Sequence, residues 1–184
     1  MKIIAFAATS SRKSINKVLA NYTAQLVEGA EVELLDINDY EMPLFSEDRE
    51  KELGQPQLAQ DFFKKLGSAD ALVIAFAEHN GSYTAAYKNL FDWTSRIDMK
   101  VFQNKPTLML ATSPGAGGAR SVLSSAVASA PYFAADVKAS VSVASFYDVY
   151  DFESNQITQP EVKQQLVDAA KLLAPLELSA VVNS

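Results

Sequence analysis

Residues 70–93 read DALVIAFAEHNGSYTAAYKNLFDW. The opening DALVIAFA is the most hydrophobic run in the chain, and its length and composition are those of a strand buried on both faces. A helical pattern begins almost at once, with Ala86, Leu90, Phe91, Thr94 and Ile97 on one side. Between the two lies the short polar turn AEHNGS, residues 77–82. A buried strand feeding a covering helix through a tight turn is the repeating half of a parallel α/β sheet, so the same grammar is expected on both sides of it.

Upstream, KIIAFAA at 2–8 is a second apolar strand, and it ends in a Thr/Ser cluster. From Ser14 the period becomes helical, with Ile15, Val18, Leu19, Tyr22 and Leu26 aligned. Residues 31–37, EVELLDI, return to a strand pattern, and the polar stretch 38–56, with Pro43 and Pro56, reads as a long loop. Ala59, Phe62, Phe63 and Leu66 then form a helical face that Gly67 closes. Downstream, PTLMLAT at 106–112 is a strand, a helix carries Val122, Leu123, Ala126 and Val127, and a strand is expected near 137–144. A closing helix aligns Val162, Leu166, Ala169 and Leu173, and the tail from Ser179 is expected to fray. Five strands alternating with five helices predict a three-layer, doubly wound α/β domain spanning residues 1–184, since each right-handed crossover places a helix on one sheet face or the other.

Composition narrows the chemistry. With 16 Lys and Arg against 22 Asp and Glu, the chain carries a net charge of −6, which supplies no general field for nucleic acid or an anionic membrane; any phosphate site must be local. The absence of Cys excludes disulfides, a thiolate nucleophile, Cys zinc sites and iron–sulfur clusters. A single His, His79, argues against metal chemistry built on imidazole. No run approaches the roughly 18 apolar residues of a membrane span. A soluble cytoplasmic protein is the reading.

In open α/β sheets ligands bind beyond the carboxyl ends of the strands, near the point where the winding reverses. With strand order 2-1-3-4-5 the first, third and fourth strands are neighbours, and their loops are the unusual ones. The first, ATSSRKSIN at 8–16, offers the hydroxyls of Thr9, Ser10, Ser11 and Ser14, the Asn16 amide, the charges of Arg12 and Lys13, and the unpaired N–H groups of a helix start. Those groups suit a phosphate monoester, although a Ser/Thr-capped helix of ordinary kind would look the same. GxGxxG and GxxxxGK are both missing, which disfavours a dinucleotide pyrophosphate or a nucleoside triphosphate there.

The second loop combines Glu78, His79, Asn80, Gly81 and Ser82, and its peptide groups could read the edge of a planar heterocycle. It could equally be a plain turn with Ser82 as helix cap. Nothing nearby orients His79 as a base, so it reads as a pocket wall or an exposed side chain. The third loop, TSPGAGG at 112–118, holds Gly115, Gly117 and Gly118, three of the seven glycines, and exposes backbone amides without Cβ interference. Tyr83, Tyr87, Phe91 and Trp93 sit at spacings that read as core or subunit interface rather than a cofactor box.

Together these loops resemble the NADPH-dependent FMN reductase family, flavodoxin-like flavoproteins that include quinone, azo-dye and chromate reductases. TSSRKSIN at 9–16 is similar to the family's GSxR followed by SxN, one residue shorter and with Thr9 in the glycine place. AEHNGSYTAAYKNLFDW at 77–93 resembles PEYN, a small residue and Ser, followed by KNxxDW, with Ala77 for Pro and His79 for Tyr. The resemblance implies that Ser10, Arg12, Ser14 and Asn16, with neighbouring N–H groups such as that of Ile15, hold an FMN phosphate. It implies that Glu78, His79, Asn80 and Gly81 line the isoalloxazine, and that Ser113 to Gly118, Gly115 and Gly117 among them, meet its pyrimidine edge. It further implies NADPH or NADH as electron donor, a small-molecule acceptor such as a quinone, an azo compound or free flavin, and a homodimer or homotetramer. The competing reading is a flavodoxin-like electron carrier without nicotinamide turnover, and a third is a protein that keeps the fold without flavin.

Overall fold

The computed structural model describes residues 1–174; the tail from Ser179 lies outside them. Five parallel strands form one sheet in the order β2-β1-β3-β4-β5: β1 Lys2–Ala8, β2 Glu31–Leu35, β3 Ala71–Phe76, β4 Pro106–Thr112 and β5 Asp136–Val143. The helices are α1 Ile15–Gln25, α2 Glu47–Leu53, α3 Gln57–Gly67, α4 Ala85–Ser95, α5 Arg120–Ser129, α6 Phe146–Val149 and α7 Pro160–Lys171.

The period-2 geometry of the strands sorts the core into two layers. Ile4, Phe6 and Ala8 of β1, Leu72, Ile74 and Phe76 of β3, and Met109 and Ala111 of β4 face α3, α4 and α5. Their alternates, Ile3 and Ala5, Val73 and Ala75, Leu108 and Leu110, face α1 and α7. That is why β1, β3 and β4 read as unbroken apolar runs: both faces are covered, and each buried Ile, Leu or Phe side chain contributes about 1.5–3 kcal/mol. β5 is an edge strand whose burial alternates, which matches its mixed sequence DVKASVSV.

Three features depart from the expected pattern. The stretch 38–56 is not a structureless loop: a 3-10 turn at Ile37–Tyr40 and the helix α2 lie within it. The first cuts the second strand short, because Asp36 accepts a hydrogen bond from the Asn38 N–H and starts the turn. The second carries no buried residue, so it has no apolar period to read; it is held by the Ser46 cap and an acidic first turn of Glu47, Asp48 and Glu50. After β5, α6 and a two-stranded hairpin pairing Tyr150–Asp151 with Gln156–Ile157 precede the closing helix. Phe146, Val149 and Tyr150 anchor that insert in the second core layer.

Candidate functional site

The loops after β1, β3 and β4 meet at the carboxyl edge of the sheet, and named hydrogen bonds fix them to one another. Thr84, the cap of α4, accepts from the Tyr87 N–H at 3.2 Å and donates to the Ala8 carbonyl at 2.9 Å, tying the third strand's loop to the end of β1. Asn16 bridges the first loop to the end of β4: its amide donates to the Thr112 carbonyl at 3.1 Å and accepts the Thr112 N–H at 2.9 Å. Glu78 reaches across to α5, where its carboxylate accepts the Val122 N–H at 2.9 Å. α5 begins on Ala119, which is left-handed and has no capping side chain of its own, so Glu78 serves as its N-terminal cap from another loop.

In the first loop the Ser14 hydroxyl caps α1 by accepting from the Asn16 N–H at 3.2 Å, and the Thr9 hydroxyl accepts from the Ser11 N–H at 3.2 Å. Among the described residues, the N–H groups of Ser10, Arg12, Lys13, Ser14 and Ile15 have no partner. Ser10, Arg12 and Lys13 are exposed, and neither cation has an ion-pair partner among the described residues. The next basic residue, Lys17, is engaged by Asp36 at 2.8 Å, and that contact holds the Asp36 carboxyl below the usual carboxylate range. The loop therefore concentrates donors and positive charge at a helix start in a chain of net charge −6. Thr9 stands where a glycine was the expected residue, but its φ is not positive, so the shortened loop needs none there.

Asn16 is 3% exposed, and its amide both donates to and accepts from the Thr112 main chain, so it braces α1 against β4 with one amide N–H uncommitted. Ile15 likewise turns its side chain into the second core layer and leaves only its N–H at the loop.

The second loop is a two-residue hairpin. His79 and Ser82 exchange hydrogen bonds of 3.0 and 3.1 Å, with Asn80 at φ 51° and Gly81 at φ 77° between them. Two consecutive positive φ values make a type I′ turn, for which Asn-Gly is the favoured pair. The turn takes Ser82 out of reach of the helix, which is why Thr84 and not Ser82 is the cap. His79 and Asn80 project from the exposed turn, and Glu78, whose carboxylate holds α5, is half-buried.

In the third loop the three glycines divide. Gly118 is buried at φ 60°, and a Cβ there would collide with the Ser142 hydroxyl and press on the Ala144 backbone; it exists for close packing against β5. Gly115 and Gly117 are exposed with open space above them. The loop is pinned from below: the Ser145 N–H donates to the Gly115 carbonyl at 3.0 Å, the Phe146 N–H to Ser113 at 3.1 Å, and the Ser113 hydroxyl to Gly115 at 3.0 Å.

The chain from 38 to 45 walls one side of this edge. Asn38 donates to the Ser10 carbonyl at 3.1 Å. From α4, Asn89 accepts the Phe45 N–H at 2.8 Å and donates to the Met42 carbonyl at 3.0 Å, while the Trp93 indole N–H donates to Pro43 at 2.7 Å. The KNLFDW stretch thus clamps a neighbouring loop, and Trp93, fully buried, is core as its spacing indicated. A cavity of about 320 Å³ opens between this wall and the start of α4, lined by Ser10, Asn38, Tyr40, Met42, Ala85 and Asn89. Asn38, Thr84 and Thr112 were not singled out from the sequence. Thr84 was findable as a Thr just before an apolar helical period, whereas the Asn38–Ser10 contact joins residues 28 apart and has no local signal.

The model of the NADPH-dependent FMN reductase family matches residues 1–148, which include all three loops. The chain belongs to that family. Among its relatives, an NADPH:quinone oxidoreductase of Arabidopsis thaliana is 33% identical over 113 residues, covering 61% of this chain and 56% of that protein. An NAD(P)H-dependent FMN reductase of Pseudomonas aeruginosa is 33% identical over 119 residues, covering 64% of this chain and 63% of that one. The chain thus spans less than two thirds of the length of these relatives. The fold is shared with FerB, a flavoenzyme NAD(P)H:(acceptor) oxidoreductase from Paracoccus denitrificans, at a TM-score of 0.73 and 20% identity over 94% of both chains. It is shared too with an FMN-dependent NADH-azoreductase from Bacillus anthracis, at 0.64 and 13% identity over 95% of this chain and all of that one. Within the FMN reductase family this member keeps the three-loop edge while replacing Pro by Ala77 and Tyr by His79 in its second loop.

Proposed function

We propose that this family member is an FMN-dependent NAD(P)H oxidoreductase that passes electrons to a small acceptor such as a quinone, an azo compound or free flavin. The observation that carries the reading is the set of unpartnered N–H groups of Ser10, Arg12, Lys13, Ser14 and Ile15 beside the Arg12 and Lys13 side chains, set at the same sheet edge as the Asn80–Gly81 turn and the open Gly115–Gly117 backbone. The residues present fit FMN: a dianionic phosphate satisfies orphan donors at a helix start, and a planar ring system needs peptide edges with no Cβ in the way. When bound, FMN supplies acceptance of a hydride from the nicotinamide and its delivery as electrons to the acceptor.

The protein's part is positional. Ser10, Arg12, Ser14 and the Ile15 N–H hold the phosphate, with Asn16 bracing them against β4. Glu78 keeps the second loop and α5 in fixed relation, so that the peptide groups of Asn80 and Gly81 face the ring from one side, beside His79, and the N–H groups of Ser113, Gly115 and Gly117 meet its edge. Gly118 sets the height of that third loop by its contact with β5. No side chain is assigned as acid, base or nucleophile, and exposed His79 serves as a wall. The whole chain acts as one domain, cytoplasmic and assembled as a homodimer or homotetramer; among the described residues no helix is long and apolar enough to cross a membrane.

The test has two readouts. Ser14→Ala should weaken FMN but not riboflavin, because only FMN presents a phosphate, and a lost charge-assisted bond of about 1.5–3 kcal/mol corresponds to a tenfold to hundredfold rise in Kd. Equal losses for both ligands would refute the phosphate assignment. NADPH added without oxygen should bleach the flavin-loaded protein; a yellow protein that ignores NADPH would mark a carrier instead.

A further inference from the structure

Between α4 and α5, on the sheet face opposite α1 and α7, lies a partly enclosed cavity of about 210 Å³. It is separate from the loop edge, and nothing in the proposed reaction uses it. Phe76, Tyr83, Tyr87, Phe91 and Phe133 wall it, with Met109 of β4. The rings support one another: centroids lie 5.5 Å apart for Phe76–Tyr87 and Tyr83–Tyr87, 5.8 Å for Tyr87–Phe91 and 4.7 Å for Phe91–Phe133. The walls are therefore set by the fold rather than by whatever fills the space.

Size, polarity and charge each restrict the occupant. A cavity of about 150 Å³ is known to accept benzene, so 210 Å³ holds one substituted ring and leaves no room for a flavin or a dinucleotide. Tyr87 is only 4% exposed, yet its hydroxyl makes no hydrogen bond to any described residue. The Tyr83 hydroxyl reaches only Ser129, at 3.4 Å. The Tyr87 hydroxyl lines a mostly apolar space with its hydrogen bond still to give, which favours a guest carrying one polar atom over a bare hydrocarbon. Burial pushes the Tyr87 phenol well above its usual range, which keeps it a neutral donor. At the rim, Lys88 holds both oxygens of Asp92 at 2.6 and 2.8 Å, so the two charges cancel and no ionic guest is drawn in.

We propose that this cavity binds a neutral single-ring aromatic carrying one hydrogen-bonding substituent, the phenol class, with its ring among Tyr83, Tyr87 and Phe91 and its polar atom on the Tyr87 hydroxyl. Phe76 is the last residue of β3 and Tyr83 follows the His79–Ser82 turn, so the guest touches both ends of the second loop. The proposal does not rest on the flavin reading, and its test needs no turnover.

The experiment is a fluorine NMR titration of the purified chain with 4-fluorophenol, with fluorobenzene alongside. Both should bind saturably. Tyr87→Phe should weaken 4-fluorophenol about three- to tenfold and leave fluorobenzene unchanged, the signature of one neutral hydrogen bond. Ser129→Leu, which fills the cavity from the end of α5, should abolish binding of both. Absence of saturable binding to the unaltered chain, or equal weakening of both probes by Tyr87→Phe, overturns the proposal. So does sedimentation showing a dimer that Ser129→Leu splits while neither probe binds, since a second copy of the chain would then be the occupant.

Discussion

Replacing Asn16 by Ala removes a brace, and the structure sets the size of the loss. The side chain makes two hydrogen bonds to the Thr112 main chain, at 3.1 and 2.9 Å, in a site where Asn16 is 3% and Thr112 2% exposed. A neutral hydrogen bond contributes about 0.5–1.5 kcal/mol net, and a buried N–H left without its acceptor costs about 1–3 kcal/mol. The sum is a destabilisation of about 2–4 kcal/mol. With a urea m-value of about 2–3 kcal/mol/M for a chain of this size, the midpoint should fall by about 0.7–2 M with m unchanged. Because the brace aligns the first loop with the end of β4, affinities for FMN and riboflavin should decline together by the same factor. A variant of unaltered stability that loses FMN tenfold while holding riboflavin would refute this, and would return Asn16 to direct contact with the phosphate.

Two further outcomes test the loop packing and the electrostatics. Gly118→Ala should lower stability by about 2–4 kcal/mol, read as a melting temperature about 5–10 °C lower, since it forces a Cβ into a positive-φ position already filled by Ser142; Gly115→Ala, in open space, should stay within about 0.5 kcal/mol of the parent. Glu33 is held below the usual glutamate range first by Lys65 and then by Lys2, so its contribution is present at neutral pH and is lost as pH falls through and below the ordinary carboxylate range. Its partial exposure limits that contribution to about 0.5–1 kcal/mol, so a Glu33→Gln variant should trail the parent by that much at pH 7 and match it near pH 3; a gap that widens on acidification would reverse the assigned sign.

The second loop shows how local pattern and tertiary contact divide the work at the site. Asn80–Gly81 specifies its turn in the sequence, because the left-handed backbone pair it needs is one that few residues adopt. The next step, where the helix cap falls, depends on Thr84 meeting the Ala8 carbonyl 76 residues away, and Ser82 looked just as suitable until the turn closed. The three glycines after β4 are alike in sequence, yet only Gly118 lies against another strand.

What the sequence by itself determined is the alternation: apolar runs of strand length over 2–8, 70–77 and 106–112, each followed by a helical period, which demand a parallel sheet buried on both faces because no other arrangement covers those residues. It also determined the hydroxyl- and glycine-rich character of the loops and the family to which they belong. Only the tertiary structure decided which side chains face the crevice and which hold the frame. Asn16 was engaged by Thr112, Glu78 by the N–H of Val122, and Asn89 with Trp93 by the chain at 42–45, leaving backbone N–H groups and the Arg12 and Lys13 side chains as free donors among the described residues. α2 and the hairpin at 150–157 were invisible for the complementary reason: the first buries nothing, and the second is anchored by aromatic contacts with elements far away in the chain, such as Tyr22 with Tyr150. A periodicity reports a face that will be buried, and it carries no record of the distant partner that an individual polar or aromatic side chain will find.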